Sequence, residues 1–297
     1  MKQIPPGIYA APLTPLNEDS SCNWPVFVRH SFDLLEQGCT GIALFGTMGE
    51  GPSFSLNERK EGLEKLIAAG FNPKKIILAN AGSPIPDTVE LARAAIDHGC
   101  AALLVAPPSF YKNVKEEGVI DYYREIIRKT ANRKLKILLY HIPQMSGVPI
   151  TLEIIRILRI EFPENVIGIK ESEGNWPFAK SILETFPDFE VFVGNERSII
   201  DAVQHGGSGS ICGMGNLYPK LIVSLYESGK KKSRDHQETI DTVSTALKSL
   251  PFIAAAKAVM EKRGGKGWHR VRPPLCPLTE EEKRTLFKKL EPFDLLR

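Results

Sequence analysis

Strand-like apolar runs alternate with amphipathic segments along the chain, and eight of these runs recur at nearly regular intervals. The predicted strands are Gly7–Leu13, Gly41–Phe45, Ile76–Ala81, Ala101–Ala106, Ile137–Tyr140, Val166–Lys170, Val191–Gly194 and Gly209–Cys212. Amphipathic segments between them predict helices at Trp24–Gln37, Leu56–Ala69, Thr88–His98, Gly118–Thr130, Leu152–Ile160, Phe178–Phe186 and Ser198–Gln204. This alternation favours a parallel α/β sheet, and eight repeats favour a closed (β/α)8 TIM barrel. An open doubly wound sheet is the alternative, although no Gly-x-Gly-x-x-Gly sequence follows the first strand.

The strand pattern stops near Leu217, and only helical patterns continue beyond it. Further helices are predicted around Lys220–Ser228, His236–Leu250, Pro251–Lys262 and Glu280–Leu290. We therefore expect a barrel domain at residues 1–217 and a C-terminal helical extension at residues 218–297. Ser55 and Glu58 form a capping-box pattern, which predicts a helix start and leaves residues 46–52 as the loop after the second strand.

Bulk composition excludes several classes of partner. The 297 residues are 42% hydrophobic and 25% charged, with a formal net charge of +3, which gives no reason to expect nucleic acid or membrane binding. Five scattered cysteines without a Cys-x-x-Cys pair favour a reducing compartment. No secretory signal is evident, and no apolar stretch approaches the about 20 residues that span a bilayer. We expect a cytoplasmic protein.

Lys170 ends the sixth predicted strand, which is otherwise apolar. Burial disfavours the charged form of a lysine, and a neutral amine can attack a carbonyl carbon. Tyr140 ends the preceding strand one βα unit earlier, at the barrel end where such folds carry their chemistry. A phenol there could move protons during imine formation and C–C cleavage. Alternatively, Lys170 is a salt-bridged or snorkelling residue and Tyr140 a core aromatic.

The loop after the second strand supplies a possible anion site. Backbone N–H groups from Gly46 to Gly49 could bind the carboxylate of a 2-oxo acid, and the Thr47 hydroxyl could complete a proton relay with Tyr140. Alternatively, the glycines form an ordinary turn. The histidines show no metal-binding spacing, so the sequence predicts no metal site, and His141 is expected to be a packed residue facing away from Tyr140.

Three motifs make the sequence resemble the dihydrodipicolinate synthase/N-acetylneuraminate lyase superfamily of class I, Schiff-base-forming aldolases. They are Gly46-Thr47-Met48-Gly49-Glu50, Tyr140-His141-Ile142-Pro143 and Gly168-Ile169-Lys170-Glu171-Ser172. The resemblance extends from about Gly7 to Leu290. It implies a (β/α)8 barrel with a C-terminal helical region, no cofactor other than a covalent imine of the substrate at Lys170, and a homo-oligomer, either a tetramer or a dimer.

The resemblance also implies roles for single residues. Lys170 would form the Schiff base with pyruvate, Tyr140 would be the acid/base phenol, and Thr47 would be its relay partner. Tyr111 matches a tyrosine that often reaches the site of a neighbouring subunit. Two further positions, Gly194 and Ile211, match residues that line the pocket.

Two residues depart from the family pattern. Met48 replaces a hydroxyl residue that usually helps to hold the pyruvate carboxylate, a hydrogen bond of roughly 1.5–3 kcal/mol. Met145 stands where dihydrodipicolinate synthases have an arginine that meets the carboxylate of the aldehyde, and a thioether cannot replace it. The surrounding segment is more similar to neuraminate lyases or 2-keto-3-deoxy sugar-acid aldolases. Asn195 and Glu196 are then candidates for hydroxyl contacts, or else part of a surface loop.

We therefore expect a carbon–carbon lyase that joins or cleaves pyruvate and an aldehyde. Its substrate would be a 2-keto-3-deoxy sugar acid or another 4-hydroxy-2-oxo acid. A 4-hydroxy-tetrahydrodipicolinate synthase is the alternative, which the missing arginine disfavours, and a dehydratase using the same imine is a related possibility. A catalytically silent barrel that binds a 2-oxo acid is an alternative of another class, supported only by Met48.

Overall fold

Eight parallel strands close into a barrel in the computed structural model, which describes residues 3–81, 84–132, 134–265 and 267–293. The strands are β1 (Gly7–Ala10), β2 (Gly41–Leu44), β3 (Ile76–Ala81), β4 (Ala102–Ala106), β5 (Ile137–His141), β6 (Val166–Glu171), β7 (Glu190–Val193) and β8 (Gly209–Cys212). Each strand pairs with its neighbours in sequence, and β8 closes the barrel by pairing with β1 from Gly209 to Cys212. The predicted closed barrel is confirmed, and the open sheet is wrong.

Helices cover the outside of this barrel and continue beyond its last strand. They are α1 (Trp24–Glu36), α2 (Leu56–Ala68), α3 (Ile85–His98), α4 (Glu116–Thr130), α5 (Pro143–Ser146), α6 (Leu152–Glu161), α7 (Trp176–Thr185), α8 (Ile199–Gln204), α9 (Pro219–Lys230), α10 (Gln237–Lys248), α11 (Phe252–Lys262) and α12 (Glu280–Leu290). Short 3₁₀ turns occur at Gly51–Ser53, Pro73–Lys75, Glu196–Ser198, Met214–Asn216 and Glu291–Phe293. Strand residues other than Ala81 are buried, as expected when side chains fill the barrel and helices cover its outer face.

Local signals in the sequence set several of these boundaries. The Ser55 side chain accepts from the Glu58 backbone while the Glu58 carboxylate accepts from Ser55, so the predicted capping box starts α2. The first strand is shorter than predicted. It ends at Ala10, after which the Ala11 N–H still donates to the Cys212 carbonyl at 3.0 Å, whereas the Leu13 N–H donates to the Asn216 side chain at 2.8 Å.

The C-terminal helices begin by completing the barrel. Helix α9 packs against α8 and β1, and α10 to α12 follow it. The domain boundary predicted at residue 217 falls just before α9 and stays a prediction, with residues 1–2 and 294–297 outside the described part of the chain. Among the described residues, no single helix is long and apolar enough to cross a membrane. Only α10 and α11 taken together, bent by 107°, would meet that criterion by length and composition.

A buried ion pair joins the loop after β2 to the C-terminal helices. Glu50 accepts from the Lys257 ammonium on α11 with one carboxylate oxygen and from the Arg272 backbone N–H, at 2.7 Å, with the other. Lys257 also donates to the Arg270 carbonyl, at 2.7 Å. The Arg272 guanidinium pairs with Glu58 at the start of α2. The helical extension therefore holds the loop that carries Thr47.

Candidate active site

Lys170 and Tyr140 lie side by side at the ends of neighbouring strands. The register of β5 and β6 pairs their Cα atoms directly. The Lys170 Nζ donates to the Tyr140 hydroxyl at 3.2 Å and lies 4.4 Å from the centre of its ring. Both side chains are buried. Because Tyr140 and Lys170 are one βα unit apart in sequence, they occupy equivalent positions on neighbouring strands, and their amine and phenol are in contact.

Thr47 extends this contact into a chain of three groups. Its hydroxyl lies 3.0 Å from the Tyr140 hydroxyl, and either oxygen can be the donor. Tyr140 therefore stands between the amine and the threonine, where it can receive a proton from one group and pass a proton to the other. This geometry suits proton transfer to and from the oxygen and the neighbouring carbon of a carbonyl compound that reacts with the amine.

The loop after β2 is closed by its own hydrogen bonds and leaves two backbone amides at the cavity. It is closed by hydrogen bonds from Glu50 N to the Thr47 carbonyl, at 3.1 Å, and from Gly51 N to the Gly46 carbonyl, at 3.1 Å. The amides of Thr47 and Met48 have no hydrogen-bond acceptor among the residues that the structure describes. Both residues line the cavity described below. Two free N–H groups at a cavity wall are an arrangement that binds carboxylates.

Met48 contributes an apolar wall where the family pattern has a hydroxyl. Its side chain is buried and lies close to Gly213 and Phe252. A Cβ atom at Gly213 would approach the Met48 sulfur to 3.0 Å and the Phe252 ring to 2.8 Å. The absence of a side chain at residue 213 therefore makes room for the thioether.

A cavity of about 290 Å³ opens at this end of the barrel. Nine of the residues singled out from the sequence line it: Thr47, Met48, Tyr140, Met145, Lys170, Gly194, Asn195, Glu196 and Ile211. Three others do not. Gly46 and Gly49 do not line the cavity but form hydrogen bonds within and next to the loop, and the Gly49 carbonyl accepts from the Thr14 hydroxyl at 2.7 Å. Tyr111 is 71% exposed and stands edge-on to Phe110, so its expected contact with a neighbouring subunit stays a prediction.

Sequence reasoning missed seven residues that also line the cavity: Ile142, Gln144, Ser172, Glu173, Gly213, Lys248 and Phe252. Ser172 and Glu173 directly follow the β6 strand end, so their position at the mouth could have been inferred. Gly194 is needed beside Ser172, because a Cβ atom there would lie 2.5 Å from the serine oxygen. Lys248 and Phe252 lie on α10 and α11, and no local sequence pattern indicates that these two residues reach the cavity.

Lys248 lines the cavity and is bound to two residues of the loop after β7. Its Nζ lies 3.0 Å from a Glu196 oxygen and 3.2 Å from the Asn195 side-chain oxygen. The Glu196 carboxylate is buried, and its second oxygen accepts from the Met214 backbone at 3.1 Å. The C-terminal extension therefore supplies a cation to the site and pairs it with a carboxylate from the β7 loop.

The buried His141 lies close to the carboxylates of Glu171 and Glu173, beside the cavity. The Ile150 N–H donates to its Nδ1 at 3.0 Å, so the proton of the neutral ring sits on Nε2, which faces Glu173 at 3.4 Å. Burial lowers the pKa of the His141 imidazole. Burial also raises the pKa of Glu171 to about 7, against the backbone N–H groups of Gly174 and Asn175 that favour its charged form.

These three side chains, His141, Glu171 and Glu173, are close enough for a metal ion, with candidate ligand atoms within 4.8 Å of one another. The histidine is bound to the Ile150 amide through Nδ1 and presents an N–H rather than a lone pair to the cluster, which suits a carboxylate rather than a cation. Spacing in the sequence did not reveal this group, because His141 ends β5 whereas Glu171 and Glu173 lie at the end of β6 and in the loop after it. The predicted absence of a metal stays a prediction.

Known proteins are similar to this chain in sequence and in fold. The sequence matches the dihydrodipicolinate synthetase family over residues 5–292. An uncharacterized DapA-like lyase of Chloroflexus aurantiacus is 32% identical over 95% of each chain. The dihydrodipicolinate synthase of Agrobacterium tumefaciens has a similar structure, with a TM-score of 0.91, 30% identity and coverage of 98% of this chain and 99% of that one.

A third relative, at lower identity, shows the fold alone. The prophage protein YagE of E. coli K12, solved in complex with pyruvate, has a TM-score of 0.89 at 23% identity and covers 98% of this chain and 99% of its own. Matches of this kind extend over nearly the whole chain, from β1 to the end of the C-terminal extension. The chain therefore belongs to the dihydrodipicolinate synthetase family, and it is a lyase of that family.

Proposed function

We propose that this lyase makes or breaks a C–C bond between pyruvate and an aldehyde through an imine at Lys170. The observation that carries the proposal is the chain of the buried Lys170 Nζ, the buried Tyr140 hydroxyl and the partly buried Thr47 hydroxyl, joined at 3.2 and 3.0 Å. An amine nucleophile needs a proton-transfer group within hydrogen-bond reach, and this chain provides one. The pyruvate bound in YagE, a protein with the same fold, supports the same keto substrate.

In the synthetic direction, the neutral Lys170 amine attacks the keto carbon of pyruvate. Tyr140 protonates the carbinolamine hydroxyl, which leaves as water, and the resulting phenolate then removes a proton from C3 to give an enamine. Carbon C3 attacks the aldehyde carbon while Tyr140 returns that proton to the aldehyde oxygen. Water then hydrolyses the product iminium and frees Lys170. Cleavage follows the same steps in reverse.

The cavity walls divide the substrate between two regions. The free amides of Thr47 and Met48 bind the pyruvate carboxylate, and the Met48 side chain packs against its apolar part. The aldehyde half extends towards Glu173, Asn195 and Lys248, which form a polar rim. This rim favours a hydroxylated chain, as in a 2-keto-3-deoxy sugar acid, over aspartate semialdehyde. Met145 lies at the mouth, 64% exposed, in the place of the arginine that a synthase would need.

Borohydride trapping tests the imine. We expect the wild-type protein to gain the mass of reduced pyruvate at one site, and Lys170→Ala to gain none. Among the described residues Lys248 is the second lysine that lines the cavity, so Lys248→Arg, which removes its primary amine but keeps a cation beside Glu196, is the matched control and should still form the adduct. A wild-type protein without an adduct would favour the silent barrel, and an adduct that persists in Lys170→Ala would contradict the imine mechanism.

A second assay identifies the aldehyde. Pyruvate is offered with a series of aldehydes, and the C–C bond formed is followed by consumption of pyruvate. Efficient turnover of aspartate semialdehyde above all others would establish the alternative, a 4-hydroxy-tetrahydrodipicolinate synthase, for which the similarity to the Agrobacterium tumefaciens protein is the motive. A cytoplasmic location and a tetramer or dimer remain parts of the proposal.

A further inference from the structure

The charges on the cavity wall are unequal on the side that would receive the aldehyde. The charged side chains among the described lining residues are Lys170, Glu173, Glu196 and Lys248. In the enamine that attacks the aldehyde the Lys170 nitrogen carries no charge, so among these residues Lys248 is the cation left to face two carboxylates. No arginine lines the cavity within the part of the chain that the structure describes. The acceptor side therefore carries a net negative charge.

Lys248 is not free to bind an anion. Its ammonium contacts Glu196 at 3.0 Å and Asn195 at 3.2 Å. The Glu196 side chain is 1% exposed whereas that of Lys248 is 38% exposed, so the pair has one buried and one accessible member. Turning Lys248 towards a phosphate would leave a buried carboxylate without its counter-charge, which is strongly unfavourable. Among the described residues that line the cavity, the ion pair thus occupies the cation that an anionic acceptor would need.

Glu173 adds a second fixed negative charge at the mouth. Its carboxylate is held by the His141 Nε2–H at 3.4 Å and the Asn175 side-chain amide at 3.5 Å. His141 is buried as the neutral ring, so it orients this carboxylate without cancelling its charge. An anionic group entering here would meet repulsion, which is weaker at high salt.

Uncharged hydroxyl groups can form hydrogen bonds with these side chains without electrostatic repulsion. A hydroxyl can donate to a carboxylate oxygen of Glu173 or Glu196 and accept from an N–H of Lys248 at the same time. We propose that the acceptor is a neutral hydroxyaldehyde, and that Glu173 and the Glu196–Lys248 pair exclude phosphorylated and carboxylated aldehydes. This inference rests on the proposed function and deepens it by naming the class of acceptor.

The test compares matched aldehydes that differ by a phosphate. Pyruvate is condensed with D-glyceraldehyde or glyceraldehyde 3-phosphate, and with erythrose or erythrose 4-phosphate, at low salt. We expect kcat/KM to favour the neutral member of each pair by at least about 10-fold in the wild type, a factor that corresponds to about 1.4 kcal/mol. Raising the ionic strength should narrow the preference.

Two variants locate the discriminating charges. Glu196→Gln removes a carboxylate and releases Lys248, so the preference should fall by about 10-fold or reverse. Glu173→Gln, on the exposed rim, should narrow the preference without disturbing the buried pair. Glu184→Gln is the matched control, since it removes the same charge from the surface of α7, where Glu184 pairs with Lys180, and should keep the wild-type preference.

The possible outcomes separate this inference from the proposed function. Equal or better turnover of the phosphorylated aldehydes would overturn the inference, while a pyruvate adduct at Lys170 would leave the imine mechanism intact. An adduct without turnover of any neutral hydroxyaldehyde would also overturn it. A preference unchanged in both Glu196→Gln and Glu173→Gln would show that these carboxylates do not select the acceptor. No adduct on the wild type would defeat the proposed function itself.

Discussion

Replacing Lys257 by methionine should destabilise the protein, because it leaves the Glu50 carboxylate buried without its counter-charge. The side chains of Lys257 and Glu50 are 2% and 0% exposed. Breaking a buried pair from one side costs about 3–5 kcal/mol. Glu50 keeps a hydrogen bond from the Arg272 backbone at 2.7 Å, which places the expected loss near the lower limit, at about 3 kcal/mol.

Denaturant unfolding followed by circular dichroism measures this loss. The matched control is Lys60→Met, because Lys60 forms an exposed pair with Glu90 at 3.3 Å, and exposed pairs contribute about 0–1 kcal/mol. In the double variant Glu50→Gln/Lys257→Met no charge is stranded. We therefore expect it to lose less stability than the sum of the two single variants, with a coupling of about 1–3 kcal/mol.

Two results would refute this reasoning. Lys257→Met could cost no more than Lys60→Met, which would mean that water or a rearranged side chain satisfies Glu50. Alternatively, the effects of the single variants could simply add, which would mean that the two charges do not stabilise each other. In either case the loop after β2 would not depend on α11 for its position.

Three further predictions concern the proton chain and the ionisable groups around it. Tyr140→Phe should lower kcat by about 10²–10⁴-fold in a pyruvate condensation assay, and Thr47→Val should lower it less, because the phenol remains. Burial raises the pKa of Glu171 from 4.5 to about 7, so the free energy of unfolding of the wild type should fall by about 3 kcal/mol as the pH rises through this range. Unfolding measured at pH 5 and 8 should show this loss in the wild type and not in Glu171→Gln. The hydrogen bond from Arg272 lowers the pKa of Glu58 to about 2, so Arg272→Met should remove stability that the wild type has above pH 4.5 and loses as the pH falls towards 2, which acid unfolding would detect.

The contact between Lys170 and Tyr140 follows from the sequence because it depends on repetition. Parallel strands that end at equivalent positions of successive βα units must bring their last residues together, whatever the intervening helix does. The same reasoning brings the loop after β2 to that end of the barrel. The face of the strand to which each of these side chains points can therefore be predicted from the two-residue alternation along a strand, which is a local property of the sequence.

The acceptor side could not be predicted in the same way. Lys248 and Phe252 lie on helices that follow the barrel, and their position depends on how α10 and α11 pack across its mouth. This packing is fixed by distant contacts such as the Glu50–Lys257 pair, whose members are 207 residues apart in sequence. Both residues also occupy positions whose amphipathic pattern reads as an ordinary helix. Long-range packing, rather than local propensity, thus determines the part of the site that we expect to select the aldehyde.

Met48 was the one sequence feature that favoured a silent barrel, and its surroundings argue against that alternative. The Met48 thioether lies next to Gly213, where a Cβ atom would come within 3.0 Å of its sulfur and 2.8 Å of the Phe252 ring, so the site is shaped to hold a methionine rather than damaged by one. The hydroxyl that the family pattern places here contributes to carboxylate binding, but the amides of Thr47 and Met48 remain available for that task. A protein that only bound a 2-oxo acid would have no need for an amine, a phenol and a hydroxyl joined in one hydrogen-bonded chain. Under the proposed mechanism, Met48 would affect how tightly the keto acid binds, whereas the chemistry would depend on Lys170, Tyr140 and Thr47, which this chain retains.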